Sequence, residues 1–249
     1  MPGNWRVVQG GTGAVRVYAT PVVAGESPGG VVVLCHELAR EPDRADAGRG
    51  YPPLADRLSE VCACRVVVPM LRGTGGSVGN FSANGWLEDL AAVAEQEAGS
   101  DGRLWLIGFG FGAAIALRIA VQDPRVRGVA SIAGPADLTA WVARPEHVLE
   151  RCRSSSLITT PGFPEDVDAW TQEIVALAPL DAAAHLGARP LLVVHGSDDA
   201  EVPVAAARAI ADAATEGPVD LRIVPAAGHW LRADPRVVAT TLGWIERHR

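Results

Sequence analysis

The stretch Leu104-Trp105-Leu106-Ile107-Gly108-Phe109-Gly110-Phe111-Gly112-Ala113-Ala114-Ile115-Ala116-Leu117 decides the fold. An apolar run ends in five residues that include three glycines, and a run of strong helix formers follows. Consecutive apolar positions mark a strand buried on both faces, as in a parallel sheet covered by helices. Alanine, leucine and isoleucine without a breaker then favour helix. Strand, tight turn and helix make one unit of a parallel α/β sheet.

The same alternation runs outward from this unit in both directions. Val31 to Cys35 and Arg65 to Pro69 read as strands, Tyr51 to Val61 and Gly85 to Ala98 as helices. Leu104 to Ile107 is a strand, Phe111 to Val121 a helix and Val126 to Ile132 a strand. Later, Pro190 to His195 and Val219 to Val224 are strands, and Val204 to Ala214 and Pro235 to Arg247 helices. At the start, Trp5 to Gln9 and Val15 to Val23 flank Gly10-Gly11-Thr12-Gly13, a hairpin-like turn. The expected fold is α/β, a mostly parallel central sheet with helices on both faces, forming a single domain over 1–249. Between Ala133 and Arg189 the alternation stops for too long to be a plain connection. A partly helical cap over 137–186 is expected there, above the sheet edge where ligands bind in such folds.

Composition bounds the function. The chain has 249 residues, 48% hydrophobic and 20% charged, enough to bury a large core. A net charge of -7 disfavours nucleic acid or an anionic membrane as partner. All 22 basic residues are arginine, which carries no functional reading by itself. The four cysteines, Cys35, Cys62, Cys64 and Cys152, form no C-x-x-C pair and no zinc spacing with histidine. With no apolar leader and no long apolar span, the expectation is a cytoplasmic protein with reduced thiols, no metal and no cofactor.

Five motifs in order resemble those of the α/β-hydrolases, over nearly the whole chain. Cys35-His36-Glu37 resembles the strand followed by His-Gly at which the oxyanion loop begins. Arg72-Gly73-Thr74-Gly75-Gly76-Ser77 resembles the R-G-x-G-x-S loop. Gly108 to Gly112 has the context of the G-x-S-x-G nucleophile elbow, with glycine at its centre. His195-Gly196-Ser197-Asp198-Asp199 resembles the strand end that supplies the acid, and Ala227-Gly228-His229 the loop that supplies the base.

The resemblance implies His229 as general base and Asp199 as the carboxylate that orients it, with Asp198 the adjacent alternative. The nucleophile position falls on Gly110, which has no side chain to offer. The oxyanion donors would be the backbone N–H groups of Phe111 and Leu38. Glu37 stands where the family has glycine; it either opposes an oxyanion or turns to solvent. The expected pocket residues are His36, Glu37, Phe109, Trp141, Trp170 and Trp230, around a small apolar or acyl ligand. Cys35 and Ser154 to Ser156 are candidate substitute nucleophiles, each with a structural alternative, a buried inert thiol or a solvated loop. Gly108-x-Gly110-x-x-Ala113 also matches the dinucleotide fingerprint, but its strand context is wrong, with no acidic residue ending the next strand. Two functions follow: a catalytically impaired ligand-binding member, or an esterase-like hydrolase or cofactor-independent lyase or oxygenase that works through His229 and Asp199.

Overall fold

The computed structural model describes residues 2–10, 13–21, 30–38, 50–98 and 102–248. Eight strands form one sheet: β1 (Asn4–Gly10), β2 (Gly13–Ala19), β3 (Val31–Cys35), β4 (Arg65–Met70), β5 (Leu104–Phe109), β6 (Val126–Ile132), β7 (Leu191–Gly196) and β8 (Val219–Val224). Their order is β1-β2-β4-β3-β5-β6-β7-β8. β1 and β2 form a hairpin, and β2 lies antiparallel on β4. From β4 to β8 every pairing is parallel. The sheet is therefore mostly parallel with helices on both faces, as the βα repeats require.

The period of two along each strand sorts the core into two layers. Val33, Leu104, Leu106, Val129 and Val193 face α2 (Ala83–Ala98), α3 (Phe111–Gln122) and α7 (Val204–Ala213). Val32, Leu34, Trp105, Ile107, Ala130 and Val194 face α1 (Tyr51–Cys62) and α8 (Pro235–His248). Pro52 and Pro53 start α1, where a missing N–H costs nothing. α3 is apolar nearly all round because it is buried all round.

Most expected boundaries move by a residue or so, and some by more. β5 runs two residues further, to Phe109, and α2 starts at Ala83 rather than Gly85. β2 stops at Ala19, where the Thr20 hydroxyl accepts from the backbone N–H of Val66 at 2.8 Å. Residues 11 and 12 of the expected turn, and 22 and 23 of the expected strand, lie outside the described residues.

Between β6 and β7 lie three helices: α4 (Pro145–Ser154), α5 (Val167–Val175) and α6 (Pro179–Ala184). α6 packs beside α3 and α7, within the helix layer, while α5 leans on α2 and α4. Among the described residues no helix is long and apolar enough to cross a membrane.

Candidate active site

Parallel strands end on one edge of the sheet, so residues distant in sequence meet there. Glu37 follows β3, Gly110 follows β5, Asp199 follows β7 and His229 follows β8.

The β5–α3 turn is held by its glycines. Gly110 has φ 51° and ψ -123°, a backbone that disfavours any Cβ. Its N–H donates to Ile132 O at 2.9 Å, and its carbonyl accepts from Ala113 N–H at 3.0 Å. Gly112 has another reason: a Cβ there would sit 2.4 Å from the carbonyl oxygens of Cys35 and His36. α3 can therefore press its first turn against the end of β3 only where a side chain is absent.

His229 Nδ1 lies 2.8 Å from Asp199 Oδ2. The other Asp199 oxygen accepts from the N–H groups of Glu201, at 2.9 Å, and Val202, at 3.0 Å. His195 Nε2 lies 3.2 Å from Asp199 Oδ2 and 2.9 Å from the carbonyl of Val202. The Asp199 carboxylate is fully buried and saturated with donors, as a buried charge must be. A carboxylate cannot donate, so Nδ1 carries the proton and Nε2 presents a lone pair. Asp198 instead accepts from the Ser197 hydroxyl at 2.6 Å and is exposed. The structure thus brings Asp199 and His229 together and leaves Asp198 apart.

A Cβ built on Gly110 would lie 3.3 Å from His229 Nε2 and 3.1 Å from Glu37 Cβ. Glu37, whose direction the sequence left open, turns inward, its side chain only 9% exposed. Its Oε1 accepts from Arg232 Nη1 at 2.7 Å, and its Oε2 stands 3.7 Å from His229 Nε2. Arg232 is clamped in turn between two rings, 5.1 Å from Trp230 and 5.6 Å from Tyr51. Burial and the Glu37 charge push the Tyr51 phenol well above its usual range. Glu201 Oε2 lies 3.9 Å from Nε2.

The elbow opens on a cavity of about 780 Å³, within the range of small-ligand sites. Its inner end is polar, with Glu37, Gly110, Glu201 and His229; Leu38, Phe111, Pro135, Leu138 and Trp141 make its walls apolar. α3 begins at Phe111, so its unpaired first-turn N–H groups and positive dipole end lie at this cavity.

Four expected pocket residues lie elsewhere. The fully buried His36 ring donates from Nδ1 to the Glu37 carbonyl at 2.9 Å and accepts at Nε2 from Leu71 N–H at 3.2 Å. That burial lowers its pKa to about 4. Phe109 alternates to the opposite sheet face and packs on Tyr51 at 5.3 Å. Trp170 is core: its indole donates to Phe81 O at 3.1 Å and its ring meets Phe81 edge-on. Trp230 is 39% exposed and stacks on Arg232 outside the cavity. Strand parity, in the case of Phe109, and the depth of the helix layer, in the case of Trp170, are tertiary facts.

The candidate substitute nucleophiles do not line the cavity. Burial pushes the Cys35 thiol far up, which leaves it unreactive. Ser154 and Ser155 donate their hydroxyls to Arg151 O, at 3.0 and 2.8 Å, at the end of α4. Sequence reasoning missed Arg232 and Glu201. Arg232 is one of many arginines, and only the fold carries it back to Glu37, 195 positions away. Among the described residues no group of histidine, cysteine and carboxylate side chains has the arrangement of a metal centre.

A model of the alpha/beta hydrolase family matches residues 15–241. A monoacylglycerol lipase of Mycolicibacterium smegmatis is 27% identical across 96% of this chain and 95% of that one. The solved structure of an alpha-beta serine hydrolase homologue from Coxiella burnetii aligns with TM-score 0.64 and 21% identity, over 99% of this chain and 97% of that chain. Mouse alpha/beta hydrolase domain-containing protein 10 aligns with TM-score 0.70 and 16% identity, over 98% of this chain and 97% of that chain. With its parallel sheet, its elbow turn and a family match over nearly its full length, the chain belongs to the alpha/beta hydrolase family.

Proposed function

We propose that this protein binds a small apolar or acyl ligand at a hydrolase site whose nucleophile position, Gly110, supplies no reacting oxygen. One observation carries the reading. The Gly110 Cβ position lies 3.3 Å from the acceptor nitrogen of a histidine already oriented by Asp199. The base and its orienting acid stand ready, and the group they would activate is a hydrogen atom. Acyl transfer through a covalent intermediate needs that group. The N–H groups of Phe111 and Leu38 remain as oxyanion donors. The first part of the 137–186 segment serves as the cap, supplying Leu138 and Trp141 to the cavity wall, while α6 lies in the helix layer. The relative named a monoacylglycerol lipase supports an acyl glycerol as ligand. A second reading, hydrolysis by water activated at His229, is favoured by the intact Asp199–His229 bond.

Calorimetric titration with monoacylglycerols from butyryl to palmitoyl tests the first reading. Binding is expected to tighten with chain length. Trp141→Ala, which strips one apolar wall, should weaken it about tenfold, or roughly 1.4 kcal/mol. Covalent capture of a fluorophosphonate probe by the unmutated protein would sink the reading, because it requires a nucleophile in the site.

A further inference from the structure

Resting on that reading of Gly110, we propose that Glu37 and His229 together hold and deprotonate a water molecule in the volume that an elbow side chain would fill. Because Nδ1 donates to Asp199, Nε2 is an acceptor. Glu37 Oε2 is an acceptor too, and the two face each other at 3.7 Å. That separation is too long for a hydrogen bond, and opposed lone pairs repel. A donor with two hydrogens relieves both, and a water oxygen fits within hydrogen-bond distance of each. One hydrogen points to Nε2, the other to Oε2, and the oxygen lone pairs then face the cavity.

Glu37 is fixed for this task. Its side chain is 9% exposed, Arg232 holds Oε1 at 2.7 Å, and the Tyr51 and Trp230 rings hold Arg232. A Cβ at Gly110 would lie 3.6 Å from Oε2, so the carboxylate stands beside the empty elbow volume. Among the described residues, the charged groups facing the imidazole are Asp199 at 2.8 Å, Glu37 at 3.7 Å and Glu201 at 3.9 Å, with Arg232 behind Glu37.

With a bound ester the step runs as a single displacement. The water oxygen bonds to the carbonyl carbon, one water proton passes to Nε2, and the C=O π pair moves onto the carbonyl oxygen beside the first N–H groups of α3. Glu37 keeps its bond to the second hydrogen and stays ionised. The tetrahedral adduct then expels the alkoxide, which takes the proton from Nε2. Ester and water become acid and alcohol, with His229 and Glu37 restored.

The test is steady-state and stopped-flow hydrolysis of p-nitrophenyl butyrate, with calorimetric binding of monobutyrin and thermal melts. The set is the native protein, Glu37→Gln, Glu37→Asp and His229→Ala. Slow turnover without an initial burst is expected from the native protein. Glu37→Gln should lower kcat about tenfold with little change in KM, and Glu37→Asp should retain part of the rate. A Glu37→Gln kcat equal to or above native overturns the proposal, as does binding of monobutyrin with no turnover above His229→Ala; both outcomes leave the binding reading standing. Absence of any binding overturns the reading and this proposal together.

Discussion

Gly110→Ser gives the sharpest prediction. The new Cβ would lie 3.1 Å from Glu37 Cβ and 3.3 Å from His229 Nε2, so both neighbours must give by a few tenths of an ångström. From that Cβ a hydroxyl rotates into hydrogen-bond range of Nε2. The φ of 51° adds backbone strain, about 1–3 kcal/mol for a residue with a side chain. In a domain of this size that lowers Tm by roughly 2–10 °C. The rate should move the other way. Removing a triad serine costs about 10⁶ in kcat where it has been measured. The strained backbone at residue 110 keeps the return below that ceiling, and a gain on the order of 10³ is expected. The assay is p-nitrophenyl butyrate hydrolysis, with mass spectrometry to locate a fluorophosphonate adduct on residue 110. A variant that melts within the stated window, yet gains less than about tenfold and takes no label, would show that residue 110 does not occupy the nucleophile position.

Stability should depend on pH through His36, whose folded pKa is lowered from 6.5 to about 4 by burial. Below 6.5 the unfolded chain binds a proton that the folded one refuses, so this contribution is whole above 6.5 and is lost as pH falls to about 4. At about 1.4 kcal/mol per pH unit the loss comes to about 3 kcal/mol. Urea unfolding across that interval should show the slope, and His36→Gln should remove it. Gly112→Ala drives a Cβ to 2.4 Å from two backbone oxygens that have nowhere to go. It should cost about 3 kcal/mol or more, whereas Gly13→Ala, with nothing within 4 Å, should leave the melt nearly unchanged.

The βα order was legible because burial on both sheet faces writes continuous apolar runs, as in Val31 to Cys35 and Leu104 to Ile107. The alternate faces of those runs hold two different helix layers, and nothing in an all-apolar run says which residue faces which layer. Phe109 illustrates this: one position before the elbow, strand parity sends it to the face of Tyr51, away from the cavity. Asp198 and Asp199 could not be separated by spacing alone. The turn after β7 aims Asp199 inward, where the N–H groups of Glu201 and Val202 hold it for His229.

The sequence by itself determined the parallel α/β sheet, the turn at Gly108 to Gly112 and the absence of a side chain at residue 110, because strand burial, backbone conformation and side-chain chemistry are local properties. Only the tertiary structure decided that Glu37 faces inward and that Arg232 clamps it. It also put the Glu37 carboxylate opposite His229 across the space that Gly110 leaves open. These are meetings between loops at the ends of separate strands, and a chain fixes such meetings only through the sheet that brings those ends to one edge.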